Sequence, residues 1–285
     1  MFSEKKFLTM KDGLELHLSV FENGKPVWLI ASHGIGEHHG RHRYLLDLFS
    51  QDFNILQYDL RGHGLSGGEK AWVGDFKLFA QDLGEIVSFL REHYNMDRHI
   101  LFGHSMGALI TCDYVQNLES SEDGPEGVFV NAPPVGYTGP AGAILKVTPS
   151  GIISKLAGLN SSVKLGGLVD LNYLSHDLRV KDDYIADDHN SLKLHSKLLL
   201  EMVNASRRVF SRPIRPYGAA YVTWGSEDKI VNVSDLKTYF TLVEKSFMMK
   251  EFVGAYHEIH NEVEKFRKPY FQYLKDKILE CAYGE

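Results

Sequence analysis

The chain alternates short apolar runs with longer amphipathic segments, and this alternation constrains the fold more than any other feature. The short runs predict β-strands at Leu14–Val20, Val27–Ala31, Asn54–Tyr58, His99–Phe102, Gly127–Val130, Ala220–Trp224 and Phe247–Val253. Segments with helical spacing of apolar residues predict helices at Phe76–Tyr94, Met106–Leu118, Ser234–Val243 and Asn261–Leu279. Strands that alternate with helices of this length predict a mostly parallel sheet with helices on both faces.

The first two predicted strands depart from the parallel arrangement. Apolar and polar residues alternate in Leu14–Val20, which predicts a half-exposed strand. Asn23-Gly24 follows as a turn, and Val27–Ala31 begins shortly after it. Because two strands joined by so short a turn form a hairpin, we expect the sheet to open with this antiparallel pair.

The segment 133–210 interrupts the alternation. It begins with Ala132-Pro133-Pro134 and shows no clear strand pattern, but it contains apolar helical pieces at Ile144–Val147, Ile152–Leu159 and Leu192–Val203. An insertion between two strands of such a sheet is expected to form a helical cap over a site at the edge of the sheet. We therefore expect one domain over residues 1–285, with a cap insertion at about 133–210.

Charge and composition exclude several kinds of protein. The formal net charge is −6, and nucleic acid is not expected as the main partner because phosphate binding needs a basic face. The segment Met1–Phe7 has no apolar stretch behind it, unlike a secretory signal, and no apolar run reaches the roughly 20 residues of a membrane-spanning helix. We therefore expect Cys112 and Cys281 to be reduced thiols in a cytoplasmic protein.

A serine between a predicted strand and a predicted helix is the strongest functional signal. Gly103-His104-Ser105-Met106-Gly107 follows the strand His99–Phe102 directly. A serine hydroxyl becomes a nucleophile when a base removes its proton and the side chain stands clear of the backbone. The tight turn of a Gly-x-Ser-x-Gly motif meets the second need, provided that the flanking residues lack bulk. The motif predicts Ser105 as the nucleophile of a serine hydrolase, against the alternative of a structural turn.

A serine nucleophile needs donors for the negative charge of a tetrahedral intermediate. One donor is expected to be the N–H of Met106, the residue after the nucleophile at the start of a helix. The loop Ser32–Gly36 follows the second predicted strand, and its small residues let the backbone approach a substrate. The N–H of Ile35 is the second candidate donor, and a plain glycine turn is the alternative for this loop.

The base is expected in a loop near the end of the chain. In hydrolases with this serine turn, the acid and then the base follow the nucleophile in sequence. Gly254–Asn261 is the loop after the last predicted strand. His257 lies closer to the strand end and is the predicted base, whereas His260 is expected to be a surface or capping residue.

The predicted acid is Asp228, in the segment Trp224–Lys229 directly after an apolar strand. Catalytic groups in such sheets gather at the carboxyl ends of strands, from where Asp228 can reach a histidine in the next loop. Its role would be to orient the imidazole and stabilise its protonated form. Glu227 is the rival carboxylate, whereas Asn131-Ala132-Pro133, after the preceding strand, offers none.

Four histidines lie close together in the sequence, at His33, His38, His39 and His42. They lack a matching set of carboxylates, and acyl transfer by serine requires no metal, so we expect neither a metal site nor a cofactor. Polar lining near the oxyanion loop is the preferred interpretation. The turn Asp59–Ser66 carries charges that are expected to tie neighbouring loops together.

These residues together resemble the monoacylglycerol lipase and lysophospholipase family of α/β-hydrolases. The matching segments lie in order along nearly the whole chain: His33–His38 with Gly40-Arg41, Asp59–Gly67, Gly103–Gly107, Gly225–Val231 and Ala255–Glu258. The resemblance implies an α/β-hydrolase fold, with a mostly parallel eight-stranded sheet, helices on both faces and a helical cap insertion.

The resemblance also implies a function. The family's nucleophile, acid and base fall on Ser105, Asp228 and His257, and its oxyanion donors fall on Ile35 and Met106. The implied reaction is hydrolysis of lipid esters with a single acyl chain, such as monoacylglycerols or lysophospholipids, through an acyl-enzyme. A short-chain esterase, a thioesterase or another serine hydrolase of this fold is the alternative, and a non-catalytic scaffold is a more remote one.

The apolar pieces of the predicted cap suit a hydrophobic tunnel for an acyl chain. Ala141–Val147 and Ile152–Ala157 are also apolar enough to touch a membrane surface. Two interpretations stay open for them: packing onto the rest of the domain alone, or packing with added contact to a lipid surface. The expected location is cytoplasmic, with peripheral membrane contact through the cap in the second case.

Overall fold

The structure, a computed structural model, describes residues 4–118, 124–159, 162–167 and 169–284. The prediction for the leading segment Met1–Phe7 therefore falls in part outside the described residues. In the described part, the strands are β1 (Glu4–Thr9), β2 (Glu15–Phe21), β3 (Val27–Ser32), β4 (Asn54–Tyr58), β5 (Arg98–His104), β6 (Gly127–Asn131), β7 (Lys164–Gly166), β8 (Lys193–His195), β9 (Ala219–Gly225) and β10 (Phe247–Phe252).

Eight of these strands form one sheet, in the order β1-β2-β4-β3-β5-β6-β9-β10. The six strands from β4 to β10 in that order run parallel, and β2 pairs antiparallel with both β1 and β4. β3, β4 and β6 are buried along their whole length, as expected for parallel strands covered on both faces. The prediction of a mostly parallel, eight-stranded sheet is confirmed.

The predicted hairpin between Leu14–Val20 and Val27–Ala31 is wrong. β2 pairs with β4 and with β1, a strand that no pattern predicted, while β3 pairs with β4 and β5. The Asn54 side chain, at the start of β4, accepts hydrogen bonds from the N–H groups of Asn23 (2.7 Å) and Lys25 (3.2 Å) and donates one to Lys25 O (2.7 Å). The turn after β2 is therefore bound across the end of β4, which lies between β2 and β3.

Helices cover both faces of the sheet. They are α1 (Tyr44–Phe49), α2 (Lys77–Tyr94), α3 (Met106–Asn117), α4 (Gly139–Val147), α5 (Ser150–Ala157), α6 (Leu178–Ala186), α7 (Ser196–Val209), α8 (Val233–Leu242) and α9 (Glu264–Tyr283). One apolar cluster holds side chains of α2, α3, α7 and α8, and the other holds those of α1 and α9. This arrangement confirms the predicted fold class.

The amphipathic pattern of α2 translates directly into burial. Phe79, Leu83, Ile86 and Leu90 follow one another at intervals of about one helical turn, and each is at most 1% exposed. Full burial of one such side chain is worth about 1.5–3 kcal/mol. This stripe therefore fixes which face of α2 packs on the sheet.

The segment 133–210, called the inserted segment below, leaves the sheet after β6 and returns at β9. It holds α4 to α7 and, contrary to the expectation of no strand, the antiparallel pair of β7 and β8. Each of these strands has three residues, too few to show a period in the sequence. Leu198 and Val209 of α7 are fully buried, and Ser206 Oγ donates to Pro134 O at 2.6 Å. None of the described helices combines the length and the apolar character needed to cross a membrane.

Candidate active site

Ser105, Asp228 and His257 meet at one edge of the sheet. Ser105 follows β5, Asp228 follows β9 and His257 follows β10. These strands are parallel members of one sheet, so their carboxyl ends lie at the same edge. Three residues far apart in sequence are thereby brought into contact.

The turn at Ser105 depends on two glycines. Ser105 has φ 52° and ψ −116°, a backbone conformation that residues with a side chain rarely adopt. A Cβ on Gly103 would lie 2.5 Å from Gly107 O, and a Cβ on Gly107 would lie 2.1 Å from Ser32 O. Close packing of the turn against β3 and α3 thus requires both glycines and holds the serine at the start of α3.

A continuous hydrogen-bond chain links the three side chains. His257 Nε2 lies 3.0 Å from Ser105 Oγ, and His257 Nδ1 lies 2.6 Å from Asp228 Oδ2. Asp228 Oδ1 accepts bonds from the N–H groups of Ile230 (2.8 Å) and Val231 (3.0 Å), which fix the carboxylate. The three side chains are buried, with Ser105 8% exposed. This arrangement can pass the serine proton to Nε2 while Asp228 holds the ring.

The surroundings of His257 favour its protonated form. Burial opposes a charge on the imidazole, but the negative charge of Asp228 and its hydrogen bond outweigh burial. Glu258 and Glu37 add to the same effect, and the pKa of His257 is raised above its ordinary value. The ring is therefore suited to accept a proton.

Glu227 and His260, the other carboxylate and the other histidine near the site, differ from Asp228 and His257 in burial and contacts. Glu227 is exposed, whereas Asp228 is 5% exposed and faces His257. His260, expected at the surface or in a cap, is instead 2% exposed, and its ring stacks on Tyr44 at 5.0 Å. The 3-10 turn at Ile259–Asn261 directs it inward, a feature that the sequence pattern does not reveal.

Ile35 and Met106, the predicted oxyanion donors, both belong to segments next to Ser105. Ile35 lines the same small cavity as Ser105, and Met106 is the first residue of α3. Within the described ranges neither backbone N–H has a hydrogen-bond acceptor. Gly34 N donates to Glu37 Oε1 at 2.5 Å, which holds the loop before Ile35 in place. Both N–H groups are therefore without a protein acceptor in the described part of the chain, as the predicted oxyanion donors would be.

A buried ion-pair network behind the loop was not predicted. Arg41 donates through Nε to Glu37 Oε2 (2.9 Å) and through Nη2 to Glu258 Oε2 (2.5 Å). His42 Nε2 lies 2.9 Å from Glu37 Oε1. Burial would raise the pKa of Glu37, but His42 and Arg41 outweigh burial and hold it well below its usual value. Arg41 thus joins the loop of Ile35 to the loop of His257.

The four clustered histidines each contact a different group. Burial lowers the pKa of His33 to about 3, so this ring stays neutral. The contacts are Leu60 N with His33, Asp187 with His38, Asp59 with His39 and Glu37 with His42, at 3.0, 2.8, 2.7 and 2.9 Å. They tie loops together rather than converge on one point.

One group of side chains among the described residues has the composition of a metal site. His17, His39 and Asp59 place their ligand atoms within 4.8 Å of one another. The Asp59 oxygens already lie within hydrogen-bond distance of both Nδ1 atoms, His39 N and Leu65 N, at 2.7–3.1 Å. The group is therefore complete as a hydrogen-bonded carboxylate, which matches the expected structural role of the Asp59 turn.

A small cavity lies next to Ser105, and a larger cavity adjoins it. The cavity at Ser105 has a volume of about 30 Å³. A second cavity of about 400 Å³ lies against it and has Leu165, Ile185 and Leu194 among its lining residues. The wall between them is formed by Ile35, Val169, Leu171 and Tyr184, which line both. Three of these four wall residues belong to the inserted segment.

Comparison with known proteins gives consistent matches. The sequence model of the family described as serine aminopeptidase, S33, matches residues 26–264. Monoglyceride lipase of Mus musculus is 30% identical over 253 residues, which cover 85% of this chain and 78% of that protein. An uncharacterized abhydrolase domain-containing protein of Dictyostelium discoideum is 26% identical over 89% of this chain, and the chain spans only 27% of its length.

The fold has solved counterparts. A monoacylglycerol lipase of Paleococcus ferrophilus is similar with a TM-score of 0.80, at 23% identity, over 94% of this chain and 99% of that chain. The resemblance inferred from the motifs is thus confirmed at the level of fold and family. The chain belongs to the serine aminopeptidase S33 family of α/β-hydrolases and is a serine hydrolase similar to the monoglyceride lipases.

Proposed function

We propose that the protein hydrolyses carboxylic esters of lipids with a single acyl chain, such as monoacylglycerols or lysophospholipids. Ser105 would be the nucleophile, His257 the base and Asp228 the acid. The observation that carries the proposal is the continuous hydrogen-bond chain from Ser105 through His257 to Asp228. The similarity to monoglyceride lipases supports the choice of a lipid ester.

The first half of the reaction forms an acyl-enzyme. His257 Nε2 takes the proton of Ser105 as Oγ attacks the ester carbonyl carbon. The carbonyl oxygen becomes an oxyanion, to which the N–H groups of Ile35 and Met106 donate. The C–O bond to the alcohol then breaks, and His257 gives its proton to the leaving alcohol. Asp228 stabilises the imidazolium throughout.

The second half repeats these steps with water. A water molecule gives a proton to His257 Nε2 and attacks the acyl carbon, and the same two N–H groups stabilise the oxyanion. The bond to Ser105 Oγ breaks, and the proton returns from His257 to the serine. The products are a carboxylic acid and the free enzyme, so no metal or redox group is required.

The cavities next to Ser105 support a lipid substrate. Val169, Leu171 and Ile35 separate the nucleophile from the 400 Å³ cavity, whose lining includes further leucine and isoleucine side chains. An acyl chain that displaced this wall would pass from the ester carbon into a cavity whose lining is mostly apolar, with Asp170, Asn172, Lys181 and Ser191 as its polar members. The transfer of each methylene from water would contribute about 0.8 kcal/mol.

A substrate panel tests the proposal. Monoacylglycerols, lysophospholipids, short acetyl esters, thioesters and peptide amides are compared at one enzyme concentration. We expect the highest kcat/KM for a long-chain monoacyl ester. Ser105→Ala should lower kcat by about 10⁴-fold or more and abolish labelling by a fluorophosphonate probe. Undiminished turnover by that variant would disprove the assignment of the nucleophile.

A short-chain esterase is the second candidate. The cavity at Ser105 holds only about 30 Å³, which favours small acyl groups if the wall of Val169 and Leu171 stays closed. A preference for acetyl esters over long-chain esters in the panel would select this candidate. A scaffold without activity is disfavoured, because Ser105, Asp228 and His257 are all present.

We propose further that the inserted segment is a cap on a single domain and that its outer face contacts lipid surfaces. Ile153 and Ala157 of α5 are buried, but Ile144 and Val147 of α4 are 65% and 81% exposed. The side chains of Ala141 and Ala143, in the same predicted patch, lie outside the described residues. Cosedimentation with phosphatidylcholine vesicles should decrease in an Ile144→Ser, Val147→Ser variant. If the variant and the wild type bind equally, these residues only pack onto the rest of the domain and do not contact lipid.

A further inference from the structure

Glu262 is a buried carboxylate with an unusual number of donors. It lies between the loop of His257 and α9, and it is 0% exposed. A buried charge is costly unless it is paired and hydrogen-bonded. The hydrogen bonds around Glu262 therefore indicate which segments this carboxylate holds together.

Four donors surround the Glu262 carboxylate. Oε1 accepts bonds from Tyr256 N (2.8 Å) and His176 Nδ1 (2.7 Å). Oε2 accepts bonds from Val263 N (3.0 Å) and His176 N (3.1 Å), and Ser175 Oγ, which donates to Asn261 O at 2.9 Å, lies 3.4 Å from it. Two of the donors flank the loop of His257, and two belong to the inserted segment.

The backbone of His257 is bound to the same part of the inserted segment. His257 N lies 3.5 Å from Tyr173 O, and Glu258 N donates to Leu174 O at 2.8 Å. The His176 ring stacks on the Tyr256 ring, with centroids 3.7 Å apart. Residues 173–176 and 256–262 are thus one hydrogen-bonded unit with the Glu262 carboxylate inside it.

We infer that Glu262 is a positioning residue for His257, acting through Tyr256 N and the Ser175–His176 turn. This inference rests on the proposed function. Loss of the carboxylate would leave buried N–H groups on both sides without an acceptor, so the loop would shift to find new partners. The distances from His257 to Ser105 and Asp228, now 3.0 and 2.6 Å, would change with it. A misplacement of about 1 Å in a catalytic group can cost about 100-fold in rate.

The test compares variants that disturb this unit with a matched control. Glu262→Ala removes the acceptor, and Glu262→Gln places an amide N–H₂ among donors. A Ser175→Ala, His176→Phe double variant keeps the carboxylate and the ring stack but removes the His176 Nδ1 donor and the Ser175 hydroxyl that binds Asn261 O. The control is Glu69→Gln, which removes the negative charge from another contact of the inserted segment, His195 Nε2 to Glu69 Oε1 at 2.9 Å.

The readouts are the pH dependence of fluorophosphonate labelling of Ser105 and the kinetics of ester hydrolysis. We expect the Glu262 variants to lose about 10–100-fold in kcat with KM changed less than twofold. The double variant should lose less. The acidic limb of the labelling profile should move to lower pH, because a displaced His257 loses the contact with Asp228 that raises its pKa. The control should change neither quantity.

The outcomes are distinguishable. A Glu262 variant with a lower melting temperature but an unshifted labelling profile and wild-type kcat would overturn the inference. If Glu262→Ala does not fold, the double variant decides, and its agreement with the control would also overturn the inference. Labelling requires no lipid substrate, so a wild-type enzyme that labels but does not cleave lipid esters would refute the proposed function alone.

Discussion

At Ser105 a backbone conformation with positive φ is maintained by residues outside the proposed catalytic triad. A positive φ at a serine is strained, and strain of this kind persists only where the surroundings over-determine the backbone. Here the backbone is constrained by neighbouring main-chain atoms: Gly107 O packs against Gly103, and Ser32 O packs against Gly107. The two glycines of the motif are therefore requirements of packing, and they hold the buried Ser105 hydroxyl within reach of His257.

Gly107→Ala should be among the most damaging small substitutions in this chain. Its Cβ would lie 2.1 Å from Ser32 O and 2.5 Å from His33 O, which are backbone atoms of a central strand and its loop. We expect a loss of more than about 3 kcal/mol in the free energy of unfolding, measured by urea denaturation. Gly151→Ala in α5 is the matched control, because nothing lies within 4 Å of its added Cβ. Equal stability of the two variants would contradict the prediction.

Asp228→Asn should separate the level of activity from its pH dependence. The carboxylate raises the pKa of His257, and the base is active only when neutral, so kcat/KM of the wild type rises with pH through that raised pKa. In the variant the pKa falls, and the acidic limb moves to lower pH. The plateau should fall by about 10⁴-fold because an amide does not hold the ring or stabilise its charge. The measurement is a pH profile of ester hydrolysis; an unmoved limb would argue against Asp228 as the partner.

His260→Phe should make the protein less sensitive to acid. Burial lowers the pKa of His260 well below its ordinary value, so the folded state keeps the ring neutral while the unfolded state takes up a proton as the pH falls. Phenylalanine removes this difference and can keep the stacking on Tyr44. Between about pH 6 and pH 5 the unfolding free energy should fall less steeply, by up to about 1.4 kcal/mol per pH unit. The exposed His93→Phe serves as the control.

At the scale of elements, local patterns predicted what each segment is but not which segment lies beside it. β3 to β6, β9 and β10 contain short apolar runs, and these runs predict strands at the correct places. The pairing of β2 was predicted wrongly: Asn54, at the start of β4, binds the turn at Asn23–Lys25, and β4 lies between β2 and β3. A hydrogen bond between residues about thirty positions apart leaves no period in the sequence.

Asn54→Ala tests this account of the strand order. The side chain makes three hydrogen bonds to the backbone of the turn and is 3% exposed. Its removal leaves two N–H groups and one carbonyl without a partner, and we expect a loss of about 2–4 kcal/mol in the free energy of unfolding. Thermal and urea unfolding measure it. A loss below about 0.5 kcal/mol would show that other contacts hold the turn.

In the candidate site, too, sequence patterns identify some of the residues but not others. Ser105, Asp228 and His257 could be chosen because each directly follows a strand, and strands of one parallel sheet end at one edge. Glu262 and Arg41 could not, because their partners His176 and Glu258 are 86 and 217 positions away. Such residues carry no motif of their own, and their roles exist only once the inserted segment has folded onto the sheet.

For the whole molecule, the number of buried neutral histidines predicts acid lability. Burial lowers the pKa of His33, His63, His104 and His260, so their contribution to stability is present above about pH 6.5 and is lost as the pH falls. His257 acts in the opposite sense, because its pKa is raised. We expect a net loss of several kcal/mol between about pH 7 and pH 5. Urea titrations at a series of pH values measure it, and a flat profile would contradict it.

Residues 173–176 are hydrogen-bonded to the loop of His257, and this limits where the inserted segment can be exchanged between homologues. An exchange of the whole inserted segment would carry away the Tyr173 and Leu174 carbonyls and the Ser175–His176 turn that surround Glu262. A chimera whose crossover points leave residues 173–176 in place keeps this support while it exchanges much of the lining of the cavity next to the site and the exposed face of α4. Parts of the inserted segment that differ between members of the family can then be exchanged while the contacts that hold the loop of His257 stay native.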